Sequence, residues 1–239
     1  MSLRYALASD CGRERNNNED AARVVEELGL FVIADGMGGH VGGEIASRVA
    51  VETFITSVKQ HSSENDQEDP VHQLSEAMLA ANTAVQHEAE SRNLVGMGTT
   101  VTALLIQGQT VVICHIGDTR AALVKDGTLE PLTRDHTIVS LLVDEGVINA
   151  EDARNHPERH MLTQAIGTQD LIEPDISRIQ IPPYARILLS TDGLHDIVSS
   201  AEIARLASGA DLDAAVRALI DRANEQGGPD NITVILIDT

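Results

Sequence analysis

Five apolar residues without alternation, Leu30 to Ala34, run into Asp35, and glycines follow at 36, 38 and 39. A run of this kind suits a strand covered on both faces, and the glycines let backbone close on whatever Asp35 holds. Two later stretches repeat the pattern. Arg186 to Thr191 runs into Asp192-Gly193, and Asp230-Asn231 opens the apolar run Ile232 to Ile237. The start of an antiparallel strand lies beside its neighbour's end, so Asp35, Asp192 and Asp230 are expected to gather at one edge of a sheet.

The rest of the chain supplies layers to cover such a sheet. Residues 3 to 9 and 21 to 34 read as strands, separated by a polar loop from Asp10 to Asp20 that carries Arg13, Arg15, three asparagines and Glu19. Ala46, Val49, Ala50, Phe54 and Val58 fall at helical spacing, as do Val71, Leu74, Met78 and Val85, with an exposed acidic loop expected from Ser62 to Pro70. Strands are expected at 100–106, 110–116 and 121–124, with Asp126-Gly127 as a hairpin turn. Helices follow at 137–145 and 150–155, then strand-like residues 173–191 broken by Pro182-Pro183. Ser199 with Glu202 reads as a capping box, and Leu212, Val216, Leu219, Ile220 and Ala223 as an amphipathic helix. The pattern predicts an α+β fold in which helices cover sheet faces, as one domain over residues 1–239.

Charge narrows the function. The formal net charge is −20 and the pI about 4.6, which opposes contact with a phosphate backbone or an anionic membrane. Nucleic acid and membrane are therefore not expected partners. No apolar run approaches the roughly 20 residues of a membrane span, and the first residues hold no long apolar segment, so a cytoplasmic monomer is the expectation. With 2% aromatics and no Trp, the core must be built from Val, Ile, Leu and Ala.

Two carboxylates about 4 Å apart repel by about 4 kcal/mol at an effective dielectric near 20, so a cluster of three needs protons or cations. Oxygen-only ligation selects hard cations such as Mg²⁺ or Mn²⁺, since no Cys/His spacing of a zinc site accompanies these aspartates. Two cations sharing Asp35 would hold a hydroxide between them and polarise a phosphoryl oxygen, the two-metal route to phosphate ester hydrolysis.

The ordered motifs match a family. Gly12-x-x-Arg15-x-x-Asn18-Glu19-Asp20, Asp35-Gly36-Met37-Gly38-Gly39-His40-x-x-Gly43-Glu44, Met97-Gly98-Thr99-Thr100, Gly117-Asp118-Thr119-Arg120, Thr133-x-Asp135-His136, Asp192-Gly193 and Gly228-x-Asp230-Asn231 resemble those of the bacterial metal-dependent (PPM, type 2C) Ser/Thr protein phosphatases. The resemblance spans nearly the whole chain. It implies a layered α-β-β-α sandwich, two mainly antiparallel sheets flanked by helices, with a dinuclear Mn²⁺ or Mg²⁺ centre at one end. Asp35 would bridge both cations, with Asp192 and Asp230 on the first and the Gly36 carbonyl on the second. Glu19 and Asp20 fall where the family places acidic residues that bind or orient the second metal's water shell, Glu19 as a candidate ligand and Asp20 as a candidate catalytic residue. Asp118, sharing Asp192, matches a position that helps hold a possible third metal. Arg15 matches the arginine that grips the substrate phosphate, and residues 137–171 correspond to a flap. The substrates implied are phosphoserine and phosphothreonine proteins, with a Ser/Thr kinase as the opposing partner.

Met37 stands where many eukaryotic relatives of this kind place a histidine, which leaves His40 as the nearest candidate general acid or, alternatively, an anchor of the glycine turn. Cys114-x-x-Gly117-x-x-Arg120 also fits the C-x-x-G-x-x-R pattern of cysteine-dependent tyrosine phosphatases, though Asp118 would place negative charge in that anion cradle. A binding module of the same fold without turnover is the non-enzymatic alternative. His156 and His160 are expected to pack at the surface or in the flap rather than bind metal.

Overall fold

The structure, a computed structural model, describes residues 3–37, 42–64 and 69–239. The described strands are β1 (Arg4–Asp10), β2 (Ala21–Val25), β3 (Leu30–Ala34), β4 (Gly36–Met37), β5 (Gly98–Thr99), β6 (Val101–Gln107), β7 (Thr110–Ile116), β8 (Arg120–Lys125), β9 (Thr128–Pro131), β10 (Asp175–Gln180), β11 (Arg186–Ser190) and β12 (Ile232–Asp238). The helices are α1 (Gly42–Glu64), α2 (Pro70–Arg92), α3 (Ile138–Asp144), α4 (Ala150–Arg154), α5 (Asp192–His195), α6 (Ser200–Ala207) and α7 (Leu212–Glu225). One antiparallel sheet has the order β1-β12-β11-β8-β9, the other β10-β7-β6-β3-β2, and β4 pairs with β5 separately.

Strand faces explain the layers. In β12, Ile235 and Ile237 point between the sheets, where they meet Phe31 and Ile33 of β3, Leu104, Ile113 and Leu189. The intervening Val234 and Leu236 face outward onto Ile203 of α6 and Val216 and Leu219 of α7. On the other side, Val32 and Leu105 face Phe54 of α1 and Leu74 and Met78 of α2. Both faces of these strands are therefore covered, which is why their apolar runs do not alternate. Each such buried side chain contributes about 1.5–3 kcal/mol relative to exposure. The result is the α-β-β-α sandwich.

Local chemistry sets most boundaries. Asp126 and Gly127 both take positive φ, 49° and 74°, giving the primed turn that joins β8 to β9. Ser199 accepts the Glu202 N–H at the start of α6, and Asp69 caps α2 with Pro70 in its first turn. Two expectations change. Residues 21–34 form a hairpin rather than one strand, because the 3-10 turn Glu26–Leu28 and a left-handed Gly29, φ 65°, reverse the chain. The acidic stretch after Ser62 begins as helix, since α1 continues to Glu64. Among the described residues no helix is long and apolar enough to cross a membrane.

Candidate metal centre

The three aspartates do converge, but not on one sheet. Asp35 follows β3, whereas Asp192 and Asp230 flank β11 and β12 of the opposite sheet. The cluster lies at the end of the sandwich, between its layers, and lines a cavity of about 960 Å³ together with Glu19, Gly36, Arg15 and Asp118.

Each position has a local cause. The Asp35 N–H donates to Thr100 Oγ1 at 2.9 Å, while its carbonyl accepts the Thr100 N–H at 2.9 Å and the Thr99 hydroxyl at 2.7 Å. The Met97-to-Thr100 motif thus staples the backbone of Asp35 and leaves the carboxylate for the cavity. At Gly36 an added Cβ would lie 2.1 Å from the Gly43 carbonyl oxygen and 2.6 Å from that of Glu19. Only glycine fits there. Asp192 begins α5 instead of ending its strand, so the helix's free N–H groups favour its charge. Asn231 orders the polar loop, accepting the Glu19 N–H at 2.8 Å and donating to the carbonyls of Cys11 and Asn17 at 3.0 and 2.9 Å. Glu19 is buried and accepts from Asn17 Nδ2 at 3.1 Å.

Other candidates are placed differently from one another. Arg15 Nη2 donates to Asp230 Oδ2 at 2.7 Å, so the arginine assigned to phosphate is paired with a carboxylate of the cluster. Asp20 does not line the cavity; it accepts hydroxyls from Thr191 and Thr233, and its charge acts on Asp35. Asp118 projects from a turn clamped by residues 135–136. Arg120 donates twice to Asp135, at 2.8 and 2.6 Å, and His136 N–H donates to the Gly117 carbonyl at 2.7 Å. His40 lies outside the described residues.

Burial raises the carboxyl groups. Desolvation first, then the charges of Asp192 and Asp230, push Asp20 up to about 7 despite its two hydroxyl donors. Asp192 is pushed up to about 7 by desolvation and by Asp230 and Asp196. Asp35 and Asp118 rise well above the usual carboxylate range, mainly through burial, with Asp20 and Asp192 respectively adding the largest repulsion. Asp20 Oδ1 and Asp192 Oδ1 are buried without a hydrogen-bond partner among the described residues. Orphaned carboxylate oxygens, mutual repulsion and an all-oxygen donor set fit hard divalent cations.

Within the segment 137–171, residues between 157 and 169 contribute to the cavity wall. Thr137 bridges Leu162, Thr163 N–H donates to the His136 carbonyl at 2.8 Å, and Gly167 N–H donates to Asn82 Oδ1 of α2 at 2.7 Å. His160, left to packing by the sequence, comes within 3.4 Å of Asp196 and 3.9 Å of Asp192 through Nδ1. Asp196 escaped the sequence reading, although it follows directly after α5, one turn beyond Asp192. Only that spacing could have flagged it. Cys114 is buried against α2, its Sγ 3.7 Å from the Leu74 carbonyl, and burial pushes its thiol well up. A thiolate nucleophile is incompatible with that environment.

Comparison with known proteins gives consistent matches. Residues 10–236 match the sequence profile of the family described as Protein phosphatase 2C. The chain is 39% identical over 239 residues to the serine/threonine protein phosphatase PstP of Mycobacterium tuberculosis, covering all of this chain and 45% of that protein. It is 36% identical to the serine/threonine phosphatase stp of Listeria welshimeri, over 96% of this chain and 93% of the relative. A crystal structure of the PstP catalytic domain in complex with two manganese ions superposes with a TM-score of 0.86 at 36% identity, covering 99% of this chain and 98% of that one. The chain spans less than half the length of the Mycobacterium tuberculosis relative it matches.

Proposed function

The chain belongs to the protein phosphatase 2C family, and we propose that it hydrolyses phosphoserine and phosphothreonine on proteins in a Mn²⁺- or Mg²⁺-dependent reaction. The observation that carries this reading is the convergence of Asp35, Asp192 and Asp230 from opposite sheets onto one cavity that also holds Arg15. In this reading Asp35, Asp192, Asp230, Glu19 and the Gly36 carbonyl would hold two divalent cations. Asp118 together with Asp192 would hold a third. When bound, such cations supply an activated water and Lewis acidity toward phosphoryl oxygens.

The protein's own residues do the positioning. Arg15 carries a forked guanidinium suited to two phosphate oxygens, and it reaches them by exchanging its Asp230 partner for substrate. Thr99 and Thr100 fix Asp35 before any ligand arrives, so little ordering cost falls on binding. The segment 137–171, acting as a flap, shapes access with Pro157, His160 and Met161 at the cavity wall. His40 remains the candidate to protonate the departing side-chain oxygen, and residues 1–239 act as one catalytic domain. A Ser/Thr kinase supplies the substrates, and the protein works as a cytoplasmic monomer away from nucleic acid.

Phosphate release from a phosphothreonine peptide, measured with Mn²⁺, with EDTA, and in Asp192→Asn and Cys114→Ser variants, tests the assignment. Metal-dependent turnover lost in Asp192→Asn and retained in Cys114→Ser is the expected pattern. Turnover that survives EDTA would overturn it.

A further inference from the structure

Thr191 is the residue before the first turn of α5, where a threonine ordinarily accepts a helix N–H with its side-chain oxygen. Here it makes no such cap. Its hydroxyl accepts the Thr233 N–H at 2.9 Å and donates to Asp20 Oδ2 at 2.9 Å. Thr233 is a second oddity, a fully buried hydroxyl in a strand otherwise made of Ile, Val and Leu up to its last residue. It donates to the same Asp20 oxygen at 2.6 Å.

A hydroxyl has one proton, so the 2.7 Å contact between Thr233 Oγ1 and Ser9 Oγ must have Ser9 as donor. Ser9 in turn accepts from Asn18 Nδ2 at 2.8 Å, and Asn18 Oδ1 accepts the Asp20 N–H at 3.1 Å. The bonds form a ring that begins and ends on Asp20. Its side-chain donors all point the same way. An aspartate has two equivalent oxygens, and this ring makes them inequivalent: Oδ2 takes two hydroxyls and Oδ1 takes none. Buried polar groups in a strand and a forgone helix cap, each costing about 1 kcal/mol if unused, are hard to account for as packing alone.

We propose that Thr191 and Thr233, with Ser9 and Asn18 closing the ring, are positioning residues that lock Asp20 in one orientation and hold its free oxygen for the water shell of a divalent cation in the centre. This deepens the phosphatase reading and rests on it. Asp20 is not among the carboxylates lining the cavity but its charge reaches Asp35, which suits an outer contact to the cations rather than a direct one.

Isothermal titration of the metal-stripped protein with Mn²⁺ alone tests the proposal. Thr233→Val and Thr191→Val keep the side-chain shape and remove the donor, and Mn²⁺ affinity is expected to fall about 10- to 100-fold. Thr233→Ser and Thr191→Ser restore the hydroxyl and should bind within about threefold of the unaltered protein. Valine variants that bind Mn²⁺ as the unaltered protein does, or serine variants that lose as much as the valine ones, would overturn the proposal. Should a valine variant fail to fold by circular dichroism, Ser9→Ala at the exposed end of the ring decides: a loss of about threefold or more supports the ring, and unchanged affinity overturns it. Absence of Mn²⁺ uptake by the unaltered protein would overturn the phosphatase reading itself, a result distinct from either outcome in the variants.

Discussion

Replacing Asp192 by Asn should make the metal-free protein more stable at pH 8 while removing its use for cations. Folding moves the Asp192 carboxyl from an ordinary 3.8 up to about 7. The folded state therefore binds this proton more tightly than the unfolded chain does, and between those two values stability falls as pH rises. Above pH 7 the full penalty is in force, about 4 kcal/mol for a rise of that size. Asparagine carries no charge at either pH. Part of the penalty is shared with Asp20, Asp35 and Asp118, whose carboxyls are raised by the same crowding, so removing one charge relieves its neighbours and is not strictly additive. A gain of about 2–4 kcal/mol at pH 8 corresponds to a Tm rise of roughly 5–15 °C for a chain of this length. Near pH 4 the gain should vanish, because the folded aspartate is already neutral. The assay is thermal unfolding by circular dichroism in EDTA across pH 4–8, repeated with Mn²⁺, where the order should invert as cation binding stabilises only the protein that retains the aspartate. An Asp192→Asn variant no more stable than its parent at pH 8 in EDTA, or one whose gain is the same at pH 4 and pH 8, would refute the electrostatic reasoning.

Arg15→Ala should lower kcat/KM for a phosphothreonine peptide about 10- to 100-fold through the lost charge-assisted bonds, while calorimetric Mn²⁺ affinity does not weaken, since the guanidinium competes with cations for Asp230. Gly36→Ala forces a Cβ onto the Gly43 and Glu19 carbonyls, and denaturant unfolding should show a loss of about 2 kcal/mol or more together with lost Mn²⁺ uptake. Cys114→Ala should keep steady-state phosphate release within about threefold of the parent, because the thiol is buried and protonated, and at most stability should drop.

What the sequence made legible follows from range. Asp35, Asp192 and Asp230 announce themselves because each adjoins an apolar run that only a doubly covered strand would tolerate. Assigning those runs to sheets is another matter. Asp35 comes from one sheet and the other two from its partner, and local pattern carries no information on which strands face each other across a core. Residues 21–34 hid a reversal because Gly29, whose left-handed backbone makes the turn, looks like any glycine in an apolar context. His160 meets Asp196 only through the path of a long segment, and the hydroxyls of Thr191 and Thr233 meet Asp20 across most of the chain. Such pairings leave no local signature. The apolar stripes of α1, α2 and α7 were readable because a helix face is a local property.

The order β1-β12-β11 has a consequence for how the protein is made. Among the described residues β1, the earliest strand in the sequence, has β12, the latest, as its only sheet partner, and that late strand also separates β1 from β11. Until Ile232–Asp238 arrives, β1 stays an unpaired edge, its sheet stays split, and Asp230 has no strand to anchor it. A chain shortened before β12 thus has no completed centre, and it should be cleared as a misfolded product rather than persist in a partly folded form. Loop closure from β1 to β12 also predicts slow refolding, on the millisecond-to-second scale of β-rich topologies, with the carboxylate end of the sandwich assembled last.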